Sequence, residues 1–295
     1  METGESLLEI RGGLWISSAR RGSKVHVEDF FDRTRAAARR FGIPHEVLDA
    51  ADIRRRFPVF KVKDDEQGYF EPGAGLVRPE ACVRTQLALA ERLGADLHAG
   101  ERVDRIAQRG DEVVVTTNRG EYVAKHAVIS AGAGAVDLLP PEITRLLTIT
   151  RQAQYWFAAN GHQELPVWIW ELQESNQGIY GFPAIDGAAG GVKVATEQFL
   201  RTTTPESIDR DIGDEEKRAL HRELIAPHIP GLSDRCVKAA ACMYTATPDF
   251  QFWIDRHPGM PNVVIVSACS GHGFKHSAAI GEKAATMTLR TFKDG

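Results

Sequence analysis

The segment CMYTATPD (Cys242–Asp249) places a thiol where small residues give way to polar and aromatic groups. The preceding run, Val237–Ala241, is small and mostly apolar and reads as a buried strand. A cysteine at such a junction is an inert core thiol, half of a disulfide, a metal ligand or a nucleophile that holds a group. The four cysteines, Cys82, Cys236, Cys242 and Cys269, are widely spaced and form no C-x-x-C pair. That pattern argues against a zinc site and a disulfide framework. The inert thiol and the nucleophile remain.

Three other places carry residues suited to chemistry. SGHGFK (Ser270–Lys275) follows an apolar strand and runs into a helix. Glycines around His272, a helix start and the Lys275 cation suit an anionic ligand; the plain alternative is a turn with a solvated lysine. SAGAGA (Ser130–Ala135) resembles half a dinucleotide fingerprint, but Asp137 stands where a third glycine belongs. It is either a tight turn or a loop whose backbone lies close to a flat cofactor. Lys193 sits between Val192 and Val194, so strand alternation turns it away from the two valines. It faces solvent, or it aims a cation into a cleft. No nucleophile elbow, paired catalytic carboxylates, P-loop or H-E-x-x-H is present, so hydrolase chemistry has no support. A nicotinamide-dependent dehydrogenase lacks its fingerprint.

The elements that must position these residues follow from periodicity. Helices are predicted over Val27–Phe41, Asp49–Phe57, Pro79–Leu93, Asp214–Ala226 and Ser277–Arg290. Strands are predicted at Asp96–His98, Arg102–Ala107, Glu112–Thr117, Tyr122–Ala124 and His126–Ala131, read as parallel, with a further parallel strand at 263–268. Between them, Leu147–Ala195 alternates and is rich in aromatics, which predicts an antiparallel sheet. Tyr180, Tyr244 and Trp170 read as core aromatics in the absence of other information. The fold class is α/β, with an α+β interleaving of two domains.

The bulk numbers set limits. The chain has 295 residues, 43% of them hydrophobic and 26% charged, with a net charge of −4. It can bury one large core or two smaller ones. The charge argues against a nucleic-acid binder. No apolar run approaches the ~20 residues of a membrane span, and METGESLLEI has no secretory character. A cytoplasmic protein without membrane or nucleic-acid partners is expected.

Taken together, CMYTATPD, WIDRHP (Trp253–Pro258) and SGHGFK resemble the monomeric sarcosine oxidase family. That family includes N-methyl-tryptophan oxidase and pipecolate oxidase, within the D-amino-acid-oxidase-like flavoproteins. The likeness extends in family order through FEPGAG (Phe70–Gly75), ERV (Glu101–Val103), ISAG (Ile129–Gly132), the Tyr155/Phe157 strand, GIYGFP (Gly178–Pro183) and GVK (Gly191–Lys193). It implies FAD held covalently through the Cys242 sulfur, with Met243 beside it. It implies a catalytic set of Lys193 for O2 activation, Lys275 for the substrate carboxylate, His272 beside the flavin and Tyr244 in the substrate cavity. Val103, Ser130, Ala131 and Gly132 would neighbour the FAD nucleotide, and Gly271, Gly273 and Phe274 would lie along the flavin. The implied reaction is oxidation of a secondary or N-methyl amino acid to an imine, with O2 reduced to hydrogen peroxide. The expected FAD-binding domain is 73–145 with 246–295, and the substrate domain 1–72 with 146–245. A monomer is expected.

Family members begin with a strand–G-x-G-x-x-G–helix unit that holds the FAD pyrophosphate, then an arginine that shares the substrate carboxylate. No G-x-G-x-x-G occurs in this sequence, so the chain is expected to start downstream of that unit. A shortened start, an FAD-free remnant or a unit supplied by a second polypeptide would each explain it, the first being preferred because so many site residues are present. The alternative function is a non-catalytic fragment unable to bind FAD alone. Glu197 also stands where the family's substrate cavity has a histidine, and the family's tryptophan is missing from GAGAV.

Overall fold

A computed structural model describes residues 3–18, 29–159, 164–172, 177–267 and 270–290. The chain divides into two units. The first comprises Met1–Arg78, Gln152–Gln198 and Asp209–Cys242; the second comprises Pro79–Arg151, Phe199–Ile208 and Met243–Gly295.

The elements up to residue 78 are β1 (Leu8–Ile10), β2 (Gly13–Ser18), α1 (Phe30–Arg40), β3 (Glu46–Asp49), α2 (Ala50–Arg56), β4 (Glu66–Glu71) and β5 (Gly75–Val77). Asp49 caps α2 by accepting the Asp52 N–H at 2.8 Å, and basic residues fill the last turn, as the helix dipole favours. There follow α3 (Pro79–Arg92), β6 (Val103–Arg109), β7 (Glu112–Thr117), β8 (Glu121–Ala124), β9 (Ala127–Ile129), a 3-10 turn (Gly132–Asp137) and α4 (Pro141–Thr144). Four strands come next: β10 (Thr148–Ala159), β11 (Val167–Leu172), β12 (Gln177–Phe182) and β13 (Val192–Thr196). The remainder is α5 (Asp214–Leu220), a π turn (His221–Ile225), α6 (Ala226–His228), β14 (Leu232–Ala246), β15 (Trp253–His257), β16 (Met260–Ser267), a 3-10 turn (Phe274–His276) and α7 (Ser277–Arg290).

The eight-stranded sheet of the first unit runs β14-β10-β13-β12-β11-β2-β4-β3. From β10 to β3 its pairings are antiparallel except for the parallel β11–β2 pair. One face of it is the core. Trp168, Trp170, Phe157, Ile179, Val192 and Val194 are almost fully buried there, packed with Ile53 of α2, with Phe60 and with Ile225 and Ile229. The Trp170 indole N–H donates to Glu66 Oε1 at 2.6 Å, which satisfies a buried donor and acceptor together.

In the second unit β9 pairs in parallel with β16, and β15 pairs antiparallel with β16. The core there is Val113, Ile129, Ala135, Leu139, Val263 and Ile265. Arg256 on β15 donates to Met287 O at 3.0 Å and to Pro261 O at 3.2 Å, tying α7 to its sheet. No helix among the described residues is long and apolar enough to cross a membrane.

Several expectations need correction. Asp96–His98 forms no strand; it lies in the link between α3 and β6, where the ring nitrogens of His98 meet the carboxylates of Asp96 and Glu101. The strands of 103–124 are an antiparallel meander, β6-β7-β8, and among the described residues of the second unit parallel pairing is that of β9 with β16. Short reversals at Gly110 and around Asn118–Gly120 close hairpins there, which parallel connections cannot do. Val237–Ala241 is strand but half-exposed, because β14 is the sheet's edge. Asp214–Ala226 is helical as expected, but its second half, His221–Ile225, is π-helical before α6 resumes. Residues 27–28 and Cys269 lie outside the described residues.

Two stability predictions follow from this packing. A methyl group at Gly181 would run into the Trp168 indole and the Lys193 carbonyl. Gly181→Ala should therefore lower stability by about 2–3 kcal/mol in urea unfolding. His257 is buried, accepts the Gly259 N–H at its Nδ1 at 3.1 Å, and is held below its ordinary pKa by burial against a smaller opposing pull from Glu142. Charging it in the folded state is unfavourable, so it lowers stability progressively as pH falls below about 6.5. His257→Asn should flatten the pH dependence of the unfolding midpoint between about pH 7.5 and 5.5; an unchanged slope would rule this out.

Candidate functional site

The outward face of the first unit's sheet is set by register. Trp156 lies opposite Lys193, and Lys193 lies opposite Phe182. Val192 and Val194 are fully buried on the other face, so Lys193 points away from the core, as alternation predicts. It is half-buried rather than solvated. Its ammonium lies 5.4 Å from the Trp156 ring centre and 5.1 Å from that of Phe182. Lys238 of β14 lies 4.6 Å from the same indole.

Cys242 is a half-buried free thiol near the end of β14. Gln154 Nε2 donates to its sulfur at 3.6 Å. Burial pushes the thiol's pKa up, and the Lys193 charge, the Gln154 hydrogen bond and the Arg210 charge pull it partway back. This is no inert apolar pocket: an amide and a cation both act on the sulfur. Burial outweighs both, so the sulfur rests as the neutral thiol.

In the second unit the loop after β16 is held under strain. Ser270 has φ +47°, is 5% exposed, donates its N–H to Thr245 O at 3.1 Å and accepts the Thr247 N–H at its Oγ at 3.3 Å. Gly271 has φ +81°, and a methyl there would overlap the Tyr244 ring, so both conformation and close approach require glycine. His272 Nε2 donates to Phe250 O at 3.0 Å, and its ring lies 4.7 Å from that of Phe252. Lys275 Nζ donates to His272 O at 3.2 Å. Gly273 is buried, while Phe274 and Lys275 are exposed. Tyr244, Gly271, His272 and Lys275 thus belong to one neighbourhood, with Phe199 6.4 Å from the Tyr244 ring.

Ser130, Ala131 and Gly132 are exposed at the C-terminal end of β9. Space is open where a Cβ would stand at Gly132 and Gly134. An exposed backbone beyond the carboxyl end of a parallel strand is where a nucleotide can approach an α/β sheet. Val103 opens β6 and is partly exposed, and Met243 is half-buried on β14. In the second unit these exposed backbones leave room for the nucleotide of FAD; in the first, the polar setting of the Cys242 thiol suits its flavin. A cleft of about 430 Å³ in the second unit, lined by Leu146, Asp249, Phe252, Trp253 and Asp255 among others, includes none of the expected site residues. Gln154, Trp156, Phe182 and Lys238 were not singled out from the sequence. Their relation to Cys242 and Lys193 depends on strand register, which a single chain does not display.

Comparison with known proteins places these features in a family. A family model described as FAD dependent oxidoreductase (DAO) matches residues 2–287. The monomeric sarcosine oxidase of Streptomyces avermitilis is 43% identical over 263 residues, covering 86% of this chain and 67% of that protein. The N-methyl-L-tryptophan oxidase of Citrobacter koseri is 33% identical over 253 residues, covering 84% of this chain and 66% of that protein. The chain thus spans about two thirds of the length of these relatives. Among solved structures, the open form of NikD, an unusual amino acid oxidase, aligns over 96% of this chain and 74% of its own with a TM-score of 0.80 at 23% identity. Glycine oxidase from Geobacillus kaustophilus aligns with a TM-score of 0.76 at 18% identity, over 98% of this chain and 73% of its own. At those identities the structures show a shared fold. The chain belongs to the FAD dependent oxidoreductases, an enzyme family, and within it to the sarcosine oxidase and N-methyltryptophan oxidase type.

Proposed function

We propose that the chain takes part in oxidising a secondary or N-methyl amino acid to an imine, with O2 reduced to hydrogen peroxide. The observation that carries this reading is the setting of Cys242 on the first unit's sheet, where its sulfur meets the Gln154 amide and the charge of Lys193. A thiol and a cation acting on each other on one sheet suit a single cofactor that touches both.

FAD, when bound, accepts the hydride equivalent from the carbon next to nitrogen. The chain's residues supply the rest. Cys242 Sγ is the proposed covalent attachment point, with Met243 next to it. Lys193 presents a positive charge where negative charge develops on oxygen. Lys275 pairs with the substrate carboxylate, His272 lies beside the flavin, Tyr244 lines the substrate cavity, and Gly271, Gly273 and Phe274 run along the flavin. Val103, Ser130, Ala131 and Gly132 are proposed neighbours of the FAD nucleotide. Residues 73–145 and 246–295 are the proposed FAD-binding part, and 1–72 and 146–245 the substrate part, of a cytoplasmic monomer.

A second reading is favoured by the absence of any G-x-G-x-x-G: the same fold without FAD binding of its own. Peroxide formation with sarcosine, N-methyl-L-tryptophan and pipecolate, measured after incubation with FAD, separates the two. Peroxide with at least one of them is expected. A folded chain that takes up no flavin and is silent on all three supports the second reading.

Lys275→Met should raise KM for the amino-acid substrate by about 10- to 100-fold, the weight of a charge-assisted hydrogen bond. A secondary amine of similar size without a carboxylate should be affected little. Equal losses on both substrates would remove Lys275 from carboxylate recognition.

A further inference from the structure

Lysine is a flexible residue, and a mid-strand lysine on an open sheet face ordinarily samples many rotamers. Lys193 does not have that freedom. The register sets Trp156, Lys193 and Phe182 in one row across β10, β13 and β12. The Lys193 ammonium lies 5.4 Å from one ring centre and 5.1 Å from the other, both within the ~6 Å reach of a cation–π contact. The row is fixed from behind, because Phe157, Val192 and Val194 are fully buried on the core face, and β12 is locked where Gly181 meets the Trp168 ring. Lys238, 4.6 Å from the Trp156 ring centre, makes that indole common to two ammonium groups that would otherwise repel.

We infer that Trp156 and Phe182 are positioning residues that hold Lys193 as a localised cation for the oxygen-reducing step. This rests on the amino-acid oxidase reading above. The rings attract the ammonium through their π faces and gain nothing comparable from a neutral amine, so they fix both its place and its charged form. In the step concerned, O2 takes two electrons and two protons from the reduced cofactor system and leaves as hydrogen peroxide. Lys193 exchanges no electrons; it stabilises the negative charge that develops on oxygen, and its effect depends on where the charge is held.

Two measurements test this. The first needs no cofactor. Lysines of the purified chain are reductively methylated with 13C-formaldehyde, which keeps their charge, and the Lys193 resonance is identified by its loss in Lys193→Arg. Ring currents should move it, together with the resonance of Lys238 beside the same indole, away from the other methylated lysines. Trp156→Leu and Phe182→Leu should each reduce that displacement, and Trp156→Phe and Phe182→Tyr should restore much of it. The second uses the FAD-loaded enzyme. Each leucine variant should slow reoxidation by O2 by about tenfold while anaerobic reduction by substrate stays within about twofold, with partial rescue by the aromatic variants. An undisplaced Lys193 resonance, or one indifferent to both leucine substitutions, overturns the ring cage. Equal slowing of reduction and reoxidation overturns the positioning role. A loaded wild-type enzyme that forms no peroxide instead overturns the oxidase reading and the catalytic use of the cage, and the resonance still judges the cage itself.

Discussion

The register of the β12–β13–β10 ladder is the constraint on which much else depends. Val192 and Val194 belong in the core and Lys193 on the opposite face, and a slip of one residue would exchange them. That exchange would bury an ammonium among Phe157, Ile179 and Trp168, a cost of several kcal/mol. Register is therefore enforced by desolvation. The close approach of Gly181 to Trp168 supports it, because only glycine fits the space between that ring and the Lys193 backbone. The placement of Trp156, Phe182 and Gln154 beside Lys193 and Cys242 follows from it.

A different device shapes the second unit. There the loop after β16 carries two left-handed residues in succession, Ser270 and Gly271. The non-glycine conformation of Ser270 is held by two hydrogen bonds, to Thr245 and from Thr247, so β14 itself braces the turn. Gly271 then lies against Tyr244 with no room for a side chain. Residues of CMYTATPD and SGHGFK, distant in sequence, are thereby fitted to one another within a single unit. Arg256 of WIDRHP supports the same region differently, through the carbonyl of Met287 on α7.

Much of this was legible in the sequence, and the limits have physical causes. Alternation alone faced Lys193 away from its valines, and the capping and glycine signals located α2 and α3 closely. The run His126–Ala131 was recognisable as a parallel strand because it is apolar, but its neighbours at 103–124 were not parallel. Their tight reversals pair them as hairpins, and a turn signal such as Asn118–Gly120 carries more weight than an apolar run. Strands β2 and β4 escaped notice since each is short and mixes glycine and polar residues with aromatics. The partners of Cys242 and Lys193 were invisible for a deeper reason: Gln154 is 88 residues from Cys242, and only pairing across strands brings them together. The SGHGFK loop was conspicuous by composition, while its strain and its fit to Tyr244 required coordinates.

A thiol subject to a cation and an amide, on a sheet whose register is fixed by its core, is the feature that links fold to chemistry here. Its most direct test is peptide mapping of the chain after incubation with FAD and gel filtration. The account predicts a flavin-mass increment on the proteolytic peptide that contains Cys242, and none on the peptides of Cys82, Cys236 or Cys269. Flavin attached to another cysteine, or bound tightly yet released intact by acid, would contradict it.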